Sequence, residues 1–84
     1  MIRKGMRVKS IVSVGLASAG EEGVVKKIEN NHVCVEFDRF ISGHDGGPDV
    51  MAKNGHCWWL GIKALKPLEA SNNLEAVSLL KEEF

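Results

Sequence analysis

Several features that mark specialised proteins are scarce in this sequence. Its 84 residues include no tyrosine, two prolines and two cysteines. Two cysteines are too few for the disulfide framework that stabilises small secreted domains, so their number favours a cytoplasmic protein. The chain is also too short for a two-domain enzyme or a deep cofactor fold, because it buries only about 60 to 65 per cent of its unfolded surface.

Long apolar segments and net charge are absent as well. No apolar run is longer than about four residues, whereas a membrane-spanning helix needs roughly 18. Eleven basic side chains balance eleven acidic ones, but residues 1–68 carry ten of the basic and seven of the acidic groups, and residues 69–84 carry the rest. This small basic surplus is far below what a dedicated DNA-binding protein presents.

One stretch near the start has two interpretations. Arg3 and Lys4 precede the apolar residues 10–16, and the small residues 17–19 that follow resemble a signal-peptidase site. The apolar stretch is short for a signal peptide and contains polar residues, and its removal would delete the first predicted strand. We therefore expect a mature N-terminal strand and a cytoplasmic location.

Short segments with the alternation and β-propensity of strands recur along the chain. They span residues 6–14, 24–28, 32–37, 56–60 and 66–68. The clearest feature is the hairpin of the second and third segments, with Asn30-Asn31 in its two-residue turn. Side chains alternate faces along a strand, so Val33, Val35 and Phe37 are predicted to share the core face.

The 18-residue segment 38–55 separates the third and fourth predicted strands and shows no periodicity. It contains four glycines and a proline: Gly43, Gly46, Gly47, Gly55 and Pro48. A loop of this length is uncommon inside a compact domain and is more often functional. We therefore expect this loop to carry part of any binding site.

Five short antiparallel strands that must protect their edges favour a small, partly open barrel. The predicted fold is mainly β, an SH3-like five-stranded barrel over residues 1–68. Over 69–84 the pattern becomes helical, with Asn72 and Glu75 at capping-box spacing. Apolar residues recur there near one helical face: Leu74, Val77, Leu80 and Phe84. We expect an acidic amphipathic C-terminal helix that packs on the barrel or forms a homodimer with a second copy.

Two parts of the chain resemble known families. Residues 20–28, Gly-Glu-Glu-Gly-Val-Val-Lys-Lys-Ile, with residues 33–37, resemble the KOW-type element of SH3-like barrels, which implies a fold more than a function. Residues 43–47, Gly-His-Asp-Gly-Gly, and 55–60, Gly-His-Cys-Trp-Trp-Leu, are similar to a pattern in small bacterial and phage-related proteins without an assigned activity. The segment 65–68 matches the closing segment of those proteins. This second resemblance implies a phage or bacterial accessory protein.

The adjacent tryptophans are the strongest candidates for recognition. In a regular strand Trp58 lies on the core face, which leaves Trp59 exposed on the opposite face. A tryptophan buries roughly 200 Å² at an interface with few rotamers to freeze. We expect four residues to form a surface that contacts another protein: Trp59, His44, Asp45 and Phe40. The alternative is that Trp59 lies beneath the loop or the terminal helix and has no binding role.

Four residues have the chemistry of a zinc site but a poor spacing: Cys34, His44, His56 and Cys57. His56 and Cys57 are strand neighbours, so their side chains should diverge. We expect no metal and no cofactor. The two histidines should instead hydrogen-bond the loop backbone, with Asp45 capping a turn. A Cys57 nucleophile with His44 as its base lacks an oxyanion-hole signature, so we expect no enzyme activity.

Nucleic-acid binding is the alternative function. Four basic residues on the first two strands are candidates for phosphate contacts: Arg7, Lys9, Lys26 and Lys27. Trp59 or Phe40 would then stack on a base, as in barrels that bind single strands. The zero net charge, the acidic tail and the absence of tyrosine weigh against this function. A solvated strand face explains the alternating lysines without any ligand.

Overall fold

The elements of the chain are short strands, as predicted. The computed structural model describes residues 2–68. The elements are β1 (Arg7–Ser10), β2 (Glu22–Glu29), β3 (His32–Phe37), β4 (Cys57–Gly61), a 3-10 helix (Ile62–Ala64) and β5 (Leu65–Pro67). The predicted amphipathic helix over 69–84 lies outside the described residues.

The five strands form one antiparallel sheet in the order β4-β3-β2-β1-β5. β1 pairs with both β2 and β5, so the short closing strand returns beside the start of the chain. β4 and β5 are the outer strands, and no ladder joins them within residues 2–68. The prediction of five antiparallel strands is confirmed, and closure of the sheet into a barrel stays a prediction.

The β2–β3 hairpin forms where the alternation predicts it. Asn30 in the turn has a left-handed φ of 56°, which a tight hairpin turn favours. Val33, Val35 and Phe37 share one face and expose at most 1 % of their surfaces. A β-bulge at Lys26 shifts the register between the two strands. The predicted core face of this hairpin is therefore confirmed.

β1 is shorter than predicted and ends at Ser10 instead of Val14. The Val12 N–H donates a hydrogen bond to the Ser10 hydroxyl oxygen at 3.1 Å. Such a local side-chain turn competes with the ladder that would extend the strand. Ile11 and Val12 are consequently exposed at the surface. The prediction of a strand over residues 11–14 is wrong for this reason.

The core includes a residue of the long β3–β4 loop, which runs over residues 38–56. The strands contribute most of the buried cluster, including Val8, Val25, Val33, Leu60 and Leu65. Ile41 of the loop is fully buried with them. Its N–H donates to the Gly55 C=O at 2.9 Å, so the two ends of the loop are tied together. The loop is therefore packed onto the sheet by its own apolar side chain.

Candidate functional site

Trp58 and Trp59 point to opposite faces of the sheet, as the alternation predicts. Trp58 lies opposite Val35 of β3 and packs against the core cluster. Trp59 lies opposite Cys34 on the other face. Both indoles are half-buried, so the prediction of an exposed Trp59 is wrong.

The β3–β4 loop covers part of the sheet face that contains Trp59. Gly46 lies over Cys34, because a Cβ at Gly46 would stand 3.2 Å from the Cys34 Sγ. Lys27 occupies the same row of the sheet as Cys34 and Trp59. Its ammonium group forms a 3.1 Å ion pair with Asp49 of the loop. The loop thus lies over Cys34 and Lys27, which belong to the same row as Trp59.

Trp58 is held between two loops that approach it as bare backbone. A Cβ at Gly15 would lie 3.1 Å from Trp58 Cζ3, and one at Gly43 would lie 3.4 Å from Trp58 Cε3. The Cβ at Gly15 would also collide with the Ile41 carbonyl oxygen, and Gly15 has a φ of 53°. Glycine at this position therefore permits the contact. No local pattern could predict it, because the partners are far apart in sequence.

His44 joins the loop to the outer edge of β4. Its N–H and C=O both bond to the Cys57 backbone, at 3.0 and 2.9 Å, and form one rung of an antiparallel ladder. The imidazole plane is inclined by 29° to the Trp58 indole, with the ring centroids 6.5 Å apart. The structure thus places His44 beside Trp58, whereas the sequence analysis grouped it with Trp59.

Polar side chains of the loop bond to backbone groups. His44 Nδ1 accepts from the Gly46 N–H at 2.9 Å. Asp45 Oδ1 accepts from the N–H two residues further on, also at 2.9 Å. The buried His56 donates through Nδ1 to the Phe37 C=O at 2.9 Å. The bonds of His44 and Asp45 are the loop-backbone bonds that the sequence analysis expected, whereas His56 bonds to the last residue of β3 instead of the loop. Because Nδ1 accepts, the proton of a neutral His44 is on Nε2.

Phe40 and Leu16 are exposed apolar residues of neighbouring loops. Phe40 is 55 % exposed and stands edge-on to the His56 ring, with centroids 6.2 Å apart. Leu16 is 60 % exposed, and its N–H donates to the Ile41 C=O at 2.8 Å. The sequence analysis missed Leu16, since its only signal was an apolar residue in a solvated connection.

The two cysteines lie fully buried on the face opposite the core. Burial raises the pKa of both thiols, and with the neighbouring thiol it raises that of Cys57 to about 12. A thiol that stays protonated is a poor nucleophile and a poor metal ligand. Within residues 2–68 no group of three or more His, Cys, Asp or Glu side chains is placed to hold a metal ion.

Three of the four basic residues considered for phosphate contacts are paired with carboxylates. Arg7 donates two hydrogen bonds to Asp38, at 2.8 and 2.6 Å. These bonds raise the pKa of Arg7 and lower that of Asp38. Lys26 and Lys27 also form ion pairs with acidic residues. Of the four, Lys9 alone has no ion pair within residues 2–68.

A cavity of about 300 Å³ lies at the far end of β4, and the sequence analysis missed it. Its lining consists of Asn31, His32, Gly61, Ile62 and Lys63. It forms where the β2–β3 turn meets the 3-10 helix, and the Ile62 N–H bonds to the Asn31 C=O there at 2.7 Å. Only tertiary structure brings these two segments together.

Comparison with known proteins gives no relative from which a role could be transferred. No protein-family model, curated protein or solved structure matches this chain. In the part of the chain that the structure describes, no helix is long and apolar enough to cross a membrane. The case for a function therefore rests on the geometry of the long loop and β4.

Proposed function

We propose that this chain is a non-enzymatic binding module, an SH3-like and KOW-like barrel that contacts another protein through loop 42–55 and Trp59. Five short antiparallel strands in one sheet, with β5 returning beside β1, support a small barrel of this kind. On this proposal the protein is a cytoplasmic accessory protein of a phage or bacterium, and the segment 69–84 adds a helix that packs on the barrel or forms a homodimer.

The observation that carries the proposal is the state of the two indoles. Trp58 and Trp59 are half-buried on opposite faces of an outer strand, and neither indole N–H has an acceptor within residues 2–68. A tryptophan N–H usually finds a partner when it is buried. A protein that binds on the Trp59 face would cover the rest of that indole and supply an acceptor for its N–H, and tryptophans buried in this way contribute much of the energy of an interface.

The surroundings of Trp58 support the same conclusion. Leu16 and Phe40 are exposed on the two loops that approach Trp58, and Arg39 joins those loops by donating to the Leu16 C=O at 2.8 Å. Neighbouring exposed apolar side chains of this kind mark interaction sites more often than single ones do. The surface is held in place by backbone bonds, so little ordering is needed on binding.

A pull-down from bacterial lysate with Trp59→Ala tests the proposal. We expect the wild type to retain a protein that Trp59→Ala releases, with nuclease present and at raised salt, while circular dichroism shows the variant folded. Ile11→Ala is the matched control, because Ile11 is 52 % exposed and lies outside the loop. Retention of the same protein by Trp59→Ala, or loss in both variants, would contradict the proposal.

The alternative of a nucleic-acid-binding KOW-type barrel has weaker support. Arg7, Lys26 and Lys27 would have to exchange carboxylates for phosphates. Lys9 lies opposite Lys66 of β5 in the sheet. These two lysines form a smaller basic group than the four residues first considered for phosphate contacts. Nuclease-sensitive capture that weakens steeply with salt would favour this alternative, since phosphate contacts release counterions.

A further inference from the structure

The outer edge of β4 has backbone groups without partners in the part of the chain that the structure describes. In an antiparallel ladder, residue pairs that exchange backbone hydrogen bonds alternate with pairs that do not. Phe37 donates to the His56 C=O at 2.8 Å, so the bonded pairs continue at every second residue and include Trp58 and Leu60. Trp59 lies between those two residues, so its N–H and C=O point away from β3. They have no partner within residues 2–68.

His44 of the β3–β4 loop already pairs with this edge. Cys57 directs its N–H and C=O the same way as Trp59, and both groups bond to His44. The chain then leaves the edge, because Ser42 has a φ of 63° and the Gly43 N–H turns to bond with Gly55. The edge is thus able to accept an added strand, and residues 2–68 cover only its first position.

The uncovered edge is short and ends at the cavity. It comprises residues 59–61, which span roughly 10 Å at the rise of a β-strand. Paired residues of adjacent strands share a face, and Gly61 pairs with His32 on the Trp59 face. Gly61 has no side chain, so a residue added opposite it would place its own side chain over Gly61 and beside the cavity. Lys63, at the cavity wall, has no ion pair within residues 2–68.

We infer that an extended peptide segment of the partner protein adds as a strand to the uncovered β4 edge, residues 59–61. The peptide bonds to the N–H and C=O of Trp59 and to the N–H of Gly61. One apolar side chain enters the cavity, and an acidic residue beside it meets Lys63. This inference rests on the proposed protein-binding function and specifies the form of the partner.

A second copy of the chain fits this edge less well than a peptide does. Antiparallel pairing of two β4 edges about a two-fold axis would place Cys57 of one copy opposite residues beyond Gly61 of the other. Cys57 is already bonded to His44, and the chain turns into the 3-10 helix after Gly61. A peptide needs only the three uncovered positions and avoids both obstacles.

Gly61→Pro and Gly61→Ala form a matched pair that tests the strand addition. Gly61 has φ −65° and ψ 146°, which proline adopts without strain, and a Cβ there would meet nothing within 4 Å. The preceding residue, Leu60, is extended, as a residue before proline must be. Both variants therefore add side-chain atoms at an open position, but only proline removes the edge N–H and blocks the adjacent strand.

The probe is a phage-displayed library of random linear peptides selected on the wild type, followed by titration of a synthetic binder. We expect Gly61→Pro to weaken binding by about tenfold or more, through the loss of one hydrogen bond and a steric block, and Gly61→Ala, which keeps the edge N–H, to weaken it clearly less. Methylation of single peptide amides should weaken binding at alternate positions.

Other outcomes would overturn the inference. Unchanged binding by Gly61→Pro, equal loss in both variants, or no binder for the wild type would exclude strand addition. Self-association of the wild type that Gly61→Pro abolishes would assign the edge to a second copy instead. The Trp59→Ala pull-down tests the proposed function separately. A protein that binds its partner without strand addition is therefore distinguished from a protein that binds no partner.

Discussion

At the scale of single residues, the buried thiols are the groups whose protonation the fold shifts most clearly toward the neutral form. Burial raises the pKa of Cys57 from the ordinary 9.0 to about 12. Below the ordinary value the thiol is protonated in both states, so its full contribution to stability is present there. At higher pH the unfolded chain releases the proton first, and stability is lost until the folded thiol also ionises.

We therefore expect the free energy of unfolding to fall as the pH rises from about 9 toward 12. Urea denaturation followed by tryptophan fluorescence measures this fall. Lysine ion pairs titrate in the same range, so Cys57→Ala is the control that retains them and removes the thiol. The wild type should lose stability more steeply than the variant. Equal slopes would show that the thiol contributes nothing to the pH dependence.

The sequence predicts the directions of the two indoles but not their exposure. Alternation alone sends Trp58 and Trp59 to opposite faces, because direction depends only on the local backbone. Exposure depends on what covers each face. Gly46 covers the Cys34 row, and Gly15 approaches Trp58 from another loop. Contacts of this kind join distant residues, so the half-buried state of Trp59 has no signature in its own neighbourhood.

At the scale of the elements, the β3–β4 loop behaves as a packed segment rather than a free connection. Ile41 is fully buried in the core, and Met51 of the same loop is 80 % exposed. The loop is thus fixed at one end by burial and held along its length by backbone bonds. Any binding by loop 42–55 depends on this anchor.

Truncation of Ile41 and Met51 should distinguish the buried residue that fixes the loop from the exposed residue that does not. We expect Ile41→Ala to lower the free energy of unfolding by about 2 to 5 kcal/mol, since it leaves a cavity in the core. Met51→Ala should change it by no more than about 0.5 kcal/mol, as is usual for a surface residue. Urea denaturation of both variants provides the measurement. Similar small losses in both would contradict the packing of the loop.

The elements that the sequence predicts are those defined by local pattern. The β2–β3 hairpin follows from alternation and from Asn30 in its turn. The first strand is predicted too long, because Ile11, Val12 and Val14 continue an imperfect alternation of apolar residues. The hydroxyl of Ser10 stops the strand through a side-chain bond that hydrophobic pattern does not encode.

At the scale of the whole molecule, the charge layout limits what the body of the protein can attract. Arg7 is committed to Asp38, and Arg39 to Glu21, across elements that are distant in sequence. The basic surplus of residues 1–68 is therefore spread thinly over the surface. The sequence indicates the number of charges but not their pairing, because the partners meet only in the folded sheet.

The central claim is that β4 is an outer strand and that the backbone N–H groups of Trp59 and Gly61, which point away from β3, have no partner within residues 2–68. Hydrogen exchange of the free protein, followed residue by residue by NMR, tests it most directly. The amides of Trp58 and Leu60, bonded to β3, should exchange at least about tenfold more slowly than the amides of Trp59 and Gly61. Equally slow exchange at all four positions would mean that the edge is already covered, and would contradict the account.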